Sequence, residues 1–543
     1  MNVQMSLLSL AIVSGLAVSG SADAAGNQRS AAIARANALI AAPASQAAIR
    51  RAPADSFIAR DAIVDADGTE HVRYQRNYQG LPVIGGDFVV QSRNGKVGKV
   101  SQTLKTAARP SLRAQINTDQ AIVEAGSRFG SHFQGAPSSR LVVYARGTSP
   151  VLAHEVVFKG IKADQTETEM HYFVDARSGR VLDQWDTVQT ARPGPGGGAC
   201  TGATAAVGTG KSLTAGTVVL NTTKCGSSYQ LVDPTRGGGA THNMAMKTAG
   251  MGAVFTGTTN VWGNFLVSNS QTAAADAHYG VATTWDYFKN MHGRNGIAND
   301  GQGAISRVHY GRNYANASWS DGCFCMTFGD GDNGATILPL VALDIAGHEM
   351  SHGVTSRSAG LIYSGESGGL NEATSDIFGT MVEYYANNAN DPGDYVVGEE
   401  LFPHNAAMNQ AIRWMFKPSL DGSSPDCYAS SLGGLDVHYS SGVANHFYYL
   451  LAEGAVVPAG FGAGTAANLT PASLVCNGNT AIAGIGREAA GKIWYRALTV
   501  YMTSSTNYAA ARVATVNAAS DLYGAASAQT NAVKAAWSAV SVN

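Results

Sequence analysis

The segment His348-Glu349-Met350-Ser351-His352 constrains this chain more than any other feature of its sequence. Two histidines four residues apart can aim ring nitrogens at one point when the segment is α-helical, because one helical turn stacks positions i and i+4 on the same face. Glu349, between them, then reaches a metal-bound water rather than the metal itself. A catalytic metal needs a third protein ligand and an open position. Twenty residues beyond His352 comes a second helical pattern, Gly369-Leu370-Asn371-Glu372-Ala373-Thr374-Ser375-Asp376, offering Glu372 as that third ligand. Asp376, one turn later, and Asn371 are suited to fix the imidazoles from outside. The competing reading is a pair of surface or capping histidines.

The chain has 543 residues, 45% hydrophobic and 14% charged, enough for two to four domains with real cores, which excludes disorder as the main state. Lys+Arg 37 against Asp+Glu 39 leaves a net charge of -2, so no basic surplus holds a phosphate backbone, and nucleic acid is excluded as a partner. The apolar run Leu7 to Val18 followed by Ala22-Asp23-Ala24 reads as a signal peptide, residues 1–24, although no basic residue precedes the run. No later segment reaches the roughly 18 apolar residues of a membrane span. The expectation is a secreted monomer without a membrane anchor.

Beyond the signal the chain divides by charge. Residues 26–190 carry 20 basic and 15 acidic side chains, and 191–543 carry 17 and 23. A cationic leader on an anionic body suits an intramolecular inhibitor and folding template, because complementary fields steer docking. The boundary is Ala191-Arg192-Pro193-Gly194-Pro195-Gly196-Gly197-Gly198, an exposed linker by composition. Within the leader, β-formers at Arg73 to Asp87, Asp87 to Gln91, Leu141 to Tyr144, His171 to Val174 and Val181-Leu182 predict an α+β region of strands and hairpins. Residues 200 to about 340 are Gly-, Thr- and Ser-rich with short strands at Thr217 to Leu220 and Tyr229 to Val232, interrupted by helical signal at Ala273 to His292. From Leu340 onward helical patterns dominate: Val341 to Ala359, Gly369 to Asn387, Gly442 to Gly454 and Ile485 to Thr503. Ala205 to Ser212 ends like a phosphate-binding loop, but Ala stands where the first Gly is required, so a Gly-rich β-turn is expected there. All six cysteines follow the leader, and an even count in an exported domain supports three disulfides, for which 15 pairings exist. Sequence order suggests Cys200-Cys225, Cys323-Cys325 and Cys427-Cys476.

The runs Leu343 to Thr355, Ala359-Gly360-Leu361-Ile362-Tyr363 and Gly369 to Glu383 resemble the signature of the thermolysin family of zinc metallopeptidases. Asn316-Ala317-Ser318-Trp319 with Gly329-Asp330-Gly331-Asp332 looks like the family's substrate-edge strand. Asp436 to Asn445 looks like its second catalytic segment, with the Asp436-Val437-His438 spacing nearer the pseudolysin branch. The resemblance implies an α+β, thermolysin-like two-lobe fold: a signal peptide over 1–24, an inhibitory propeptide over 25–190, a β-rich lobe with the zinc helix over 191–355, and an α-helical lobe over 356–543. It implies a secreted endopeptidase with one catalytic zinc on His348, His352 and Glu372, Glu349 as general base, and His438 and Tyr363 as oxyanion donors, with Asp436 orienting His438. Asn316 and Ala317 would pair with extended peptide, Arg413 would hold a substrate carbonyl, and Ile345 and Ile412 would line a pocket for a large apolar side chain after the cut bond. Asp344, Glu383 and the carboxylates of Asp391 to Glu400, Asp394 and Glu399 among them, would hold at least one calcium; Val396 stands where thermolysin has an acid, which implies one ion rather than a close pair. The partners implied are peptide substrates and the chain's own propeptide. Two rivals remain open at this point, a metal-keeping binding protein without turnover and a chain whose main role lies in its leader as chaperone or inhibitor.

Overall fold

The computed structural model describes residues 18–130, 132–147, 149–187, 200, 202–403, 405 and 408–543. The apolar run of the signal up to residue 17 and the linker Ala191 to Gly198 lie outside the described residues. Two compact units divide the chain, residues 1–108 and 109–543. The second half of the leader therefore belongs to the same unit as the proposed catalytic residues.

In the first unit a long helix, α1 (Val18–Ala41), precedes strands β1 (Asp55–Val64), β2 (Glu70–Tyr78), β3 (Leu81–Ile84), β4 (Phe88–Arg93) and β5 (Lys96–Gln102). The strands pair antiparallel in the order β1-β2-β4-β5, with β3 folding back on the end of β2. The single run expected over Arg73 to Asp87 is thus two strands, broken at Gln79-Gly80, where both residues take positive φ. Ala32, Ala36 and Ile40 of α1 share a core with Val72, Tyr74, Phe88 and Val90. The proposed cleavage sequence Ala22-Asp23-Ala24 lies within α1.

The second unit opens with α2 (Thr118–Gly126), capped by Asn117 and Gln120 in a reciprocal pair of side-chain to backbone bonds. It packs on an antiparallel sheet of β6 (Ser138–Tyr144), β7 (Val151–Ile161), β8 (Glu167–Asp175) and β9 (Val181–Asp186) through Ala121, Ala125, Val156 and Tyr172. The body follows with β10 (Thr204–Lys211) and β11 (Thr217–Cys225), an antiparallel pair. Residues Ala205 to Ser212 are therefore mostly strand, and the turn expected there is corrected. Gly208 and Gly210 serve packing, since a Cβ would meet Asn260 at 2.3 Å and Val218 at 2.9 Å respectively.

A second body sheet runs β12 (Gly239–Asn243), β13 (Ile305–Tyr310), β15 (Cys325–Gly329) and β14 (Ala317–Ser320). Its central pairs are parallel, while β14 joins antiparallel at the edge. The helix α3 (Ser270–His292) packs on this sheet and on α4 (Leu343–Ser356), and the helical lobe after them comprises α5 (Gly365–Ala386), α6 (Gly442–Glu453), α7 (Arg487–Val500), α8 (Tyr508–Tyr523) and α9 (Ala528–Ala539). Helices α4 and α5 touch at glycine: a Cβ on Gly347 would come within 2.9 Å of Gly379 Cα, and one on Gly379 within 2.5 Å of the Asp344 carbonyl oxygen. That backbone approach brings Glu372 to the histidines. The six cysteines form Cys200–Cys225, Cys323–Cys325 and Cys427–Cys476, with Cα separations of 5.9, 5.2 and 6.0 Å. No helix among the described residues is long and apolar enough to cross a membrane.

Candidate metal centre and cleft

His348 and His352 lie one turn apart on α4, both buried, and their Nε2 atoms approach to 3.1 Å. Glu372 on α5 places its carboxylate 3.6 Å from His348 Nε2 and 3.3 Å from His352 Nε2. The outer nitrogens decide what these groups are. His348 Nδ1 faces Asp376 Oδ1 at 2.9 Å, and His352 Nδ1 faces Asn371 Oδ1 at 2.8 Å, the Asn371 amide nitrogen being committed to the Leu361 carbonyl. Both Nδ1 atoms must therefore donate, which leaves a lone pair on each Nε2 when the rings are neutral. Two lone pairs and a carboxylate converge, and Glu372 Oε2 is buried without a hydrogen-bond partner. Only a cation satisfies three facing acceptors, and two imidazoles with one carboxylate are a donor set for zinc. Burial opposes the charge on Glu372, but positive charge beside it, that of His438 first, holds its carboxyl well below the usual range.

Around the ligands the supports are fully committed. Asp376 accepts from Arg413 Nε and Nη2 at 2.8 and 2.6 Å and from Asn445 Nδ2 at 2.7 Å. Arg413 thus acts on the site through Asp376 while lining the cleft. Glu349 is buried, with Oε2 unpartnered and its carboxyl pushed up by burial, against the pull of His348 and His352. Tyr363 donates to Glu372 Oε1, and its oxygen lies 3.2 Å from His438 Nε2. Asp436 Oδ1 accepts from His438 Nδ1 at 2.7 Å and caps the short helix Val437–Ser440 by accepting from the His438 backbone N–H. The charge on Glu372, and then the hydrogen bond to Asp436, outweigh burial and raise the pKa of His438, favouring an Nε2 that donates.

These groups stand in a cleft of about 820 Å³ that also exposes Asn316, Ala317, Ile345 and Ile412. Asn316 bonds locally: its Oδ1 accepts from Ala317 N at 2.9 Å, and its carbonyl accepts from Gly329 N at 3.0 Å. The cleft further contains Leu340, Leu401 and Phe402, from loops with no periodicity to reveal them, and three leader residues, Lys162, Thr166 and Asp186.

A second acidic group gathers Glu383, Asp391, Glu399 and Glu400. Asp391 and Glu400 are the two ends of the acidic stretch expected to supply carboxylates, within which Asp394 and Glu399 were the ligands named. Asp394 borders the group, one oxygen accepting from Val396 N and the other buried and unpartnered. Asp344 also borders it, both oxygens accepting backbone N–H, from Ile345 at 2.7 Å and Gly398 at 2.7 Å. Burial and mutual repulsion raise Asp344 and Asp391 to about 7 and Asp394 to about 6. Unpartnered buried oxygens on Glu383, Asp391, Asp394, Glu399 and Glu400 make a hard-oxygen donor set of the kind Ca²⁺ takes.

Comparison with known proteins adds three family matches. Residues 207–356 match the thermolysin metallopeptidase catalytic domain, 359–542 its alpha-helical domain, and 55–104 the Fungalysin/Thermolysin Propeptide Motif. The chain is 45% identical over 494 residues to a transglutaminase-activating metalloprotease of Streptomyces mobaraensis, covering 90% of this chain but 61% of that protein's length. It is 36% identical over 498 residues to thermolysin of Bacillus sp. (strain EA1), covering 88% of this chain and 84% of the relative, and 36% identical over 521 residues to bacillolysin of Bacillus cereus, covering 90% and 85%. With the zinc donor set on α4 and α5 and matches along nearly its whole length, the chain belongs to the thermolysin family of metallopeptidases.

Proposed function

We propose that this chain is a secreted, monomeric zinc endopeptidase, made with a signal peptide (1–24) and an inhibitory leader (25–190), that cuts proteins before a large apolar residue. The observation that carries it is the convergence of His348 Nε2, His352 Nε2 and Glu372, all acceptors, beside the buried, unpartnered Glu349. Zinc held there supplies Lewis acidity and lowers the pKa of a water. Glu349 takes that water's proton and returns it to the leaving amine, a role its burial favours by keeping the carboxylate from being too weak a base. Protonated His438 donates through Nε2 to the developing oxyanion, held by Asp436, with the Tyr363 hydroxyl beside it. The edge strand β14 with Asn316 and Ala317 takes extended peptide by strand addition, and Ile345, Ile412, Leu340 and Leu401 receive the apolar side chain. At least one calcium on the Glu383 group, with Asp344 and Asp394 adjoining, staples α5 to the loop after it. The presence of Lys162, Thr166 and Asp186 in the cleft supports the inhibitory role of the leader.

The test uses peptides blocked at both ends, each carrying one leucine, phenylalanine or aspartate at a central position. Cleavage on the amino side of leucine and phenylalanine, with aspartate poor, is the expected result. Cleavage that requires a free amino terminus would replace the endopeptidase reading with an aminopeptidase one.

A further inference from the structure

The turn joining β7 to β8 in the leader engages the body residue by residue. Gln165 donates from its side-chain amide to the Arg312 carbonyl at 2.7 Å and accepts from Arg312 N at 2.9 Å; its own carbonyl accepts from Tyr310 OH at 3.1 Å. Thr166 Oγ1 lies 3.2 Å from Tyr314 OH. Glu167 Oε2 pairs with Arg307 Nη2 at 3.0 Å. Arg307 is 1% exposed, and its other nitrogens are fixed: Nη1 donates to the Gly250 carbonyl at 3.1 Å and Nε to Thr327 Oγ1 at 2.9 Å. Thr166 lines the catalytic cleft, and Glu167, the first residue of β8, follows it in the chain.

Residues Arg307, Tyr310, Arg312 and Tyr314 all lie in the body. If the leader departs, the carboxylate leaves and a pre-oriented guanidinium faces the volume that Glu167 vacates. Uncompensated, that nearly buried charge is costly, and a planar fork held by two other acceptors is well suited to take a carboxylate again.

We propose that Arg307 is a specificity-determining residue, a carboxylate-binding subsite filled in cis by Glu167 in the precursor and by an acidic side chain of the peptide substrate after processing. This rests on the endopeptidase reading above. The exchange is non-covalent, so nothing but the anion changes hands.

The experiment compares processed protein on pairs of end-blocked quenched peptides that share one apolar residue at the cut and differ as Glu or Gln at one position, moved stepwise along the peptide. At one position Glu is expected to raise kcat/KM about 10-fold, chiefly through KM, with the difference between the Glu and Gln peptides lost in Arg307→Met. Equal rates for Glu and Gln at every position, or a preference that persists in Arg307→Met, overturns the proposal. Because Arg307→Met can impair folding, a second measurement leaves the body's sequence untouched. In full-length Glu349→Ala protein, which does not depend on turnover, adding Glu167→Gln is expected to speed amide hydrogen exchange in residues 162–168 about 10-fold. Unchanged exchange also overturns the proposal. A processed chain that cuts no peptide at all contradicts the endopeptidase reading instead, and the exchange result still decides whether Arg307 binds this carboxylate.

Discussion

Exchanging Glu349 for glutamine keeps the side chain's size and one hydrogen-bond acceptor but removes its basicity. Because Glu349 is not among the three converging ligands, zinc content should stay at that of the unmodified chain, while kcat falls about 10²- to 10⁴-fold, as measured by elemental analysis beside peptide turnover. Asp376→Ala should act differently. It removes the acceptor that fixes His348 Nδ1 and leaves buried Arg413 without its carboxylate, so zinc affinity should fall about 10- to 100-fold by competition with a chelator. At this scale the sequence was most legible where a spacing enforces geometry, as it does for His348, His352 and Glu372. Asn371 and Asp376 followed because a metal-binding imidazole needs an outer partner, and each faces an Nδ1. Leu401 and Phe402 were not singled out, and the stretch Asp391 to Glu400 was read as acidic without telling which of its carboxylates converge: a single 3-10 turn, Glu399–Leu401, and the loop before it carry no period that says which side chain turns inward.

Among the elements, the helices around the site were legible because their apolar positions recur with the helical period, and α3 through α7 lie within a few residues of the expected spans. α8 was not: its alanine-rich sequence, Tyr508–Tyr523, carries little contrast between faces, and its signal is the cap Asn507; α9 (Ala528–Ala539), also alanine-rich, opens on the cap Ser527. α2 opens on the capping pair Asn117-x-x-Gln120, and at nine residues it is too short for its period to stand out. In the sheet beside α2, burial lowers the pKa of His171, but hydrogen bonds to Glu155 and Glu169 outweigh it and raise the group to about 9. A raised histidine stabilises the fold fully below its unfolded value near 6.5 and loses that contribution as pH rises through about 9. Thermal unfolding of full-length Glu349→Ala protein, scanned from pH 6.5 to 10, should therefore show the region holding His171 weakening over that window, and His171→Gln should flatten the dependence. The loop after α5 should respond to calcium instead. Chelating it should lower the melting temperature, the lost stability amounting to about 2.7 kcal/mol if calcium had been present at 100 times its Kd.

For the whole molecule, the charge contrast between leader and body and the division into compact units fall at different places. The compact units separate at residue 108, and residues 109–187 pack within the unit that carries the metal centre. Net charge sums over a segment and is blind to which part of it docks. The docking is carried by particular groups: Arg146 donates to the Ser364 carbonyl and Ser367 Oγ at 3.1 Å each, next to Tyr363, while the turn at Gln165 to Glu167 meets the β-rich lobe. A leader joined to both lobes in this way suits maturation by the enzyme itself, and Glu349→Ala should then accumulate the unprocessed chain on a denaturing gel, whereas mature-sized protein from that variant would assign the cut to another protease. The central claim, that the chain works through zinc, is tested most directly on processed wild-type protein with an internally quenched peptide bearing an apolar residue after the scissile bond. Activity should vanish on zinc-selective chelation with calcium kept in excess and return on stoichiometric zinc. Cleavage that survives complete zinc removal, or none from a processed, zinc-loaded sample, would contradict it.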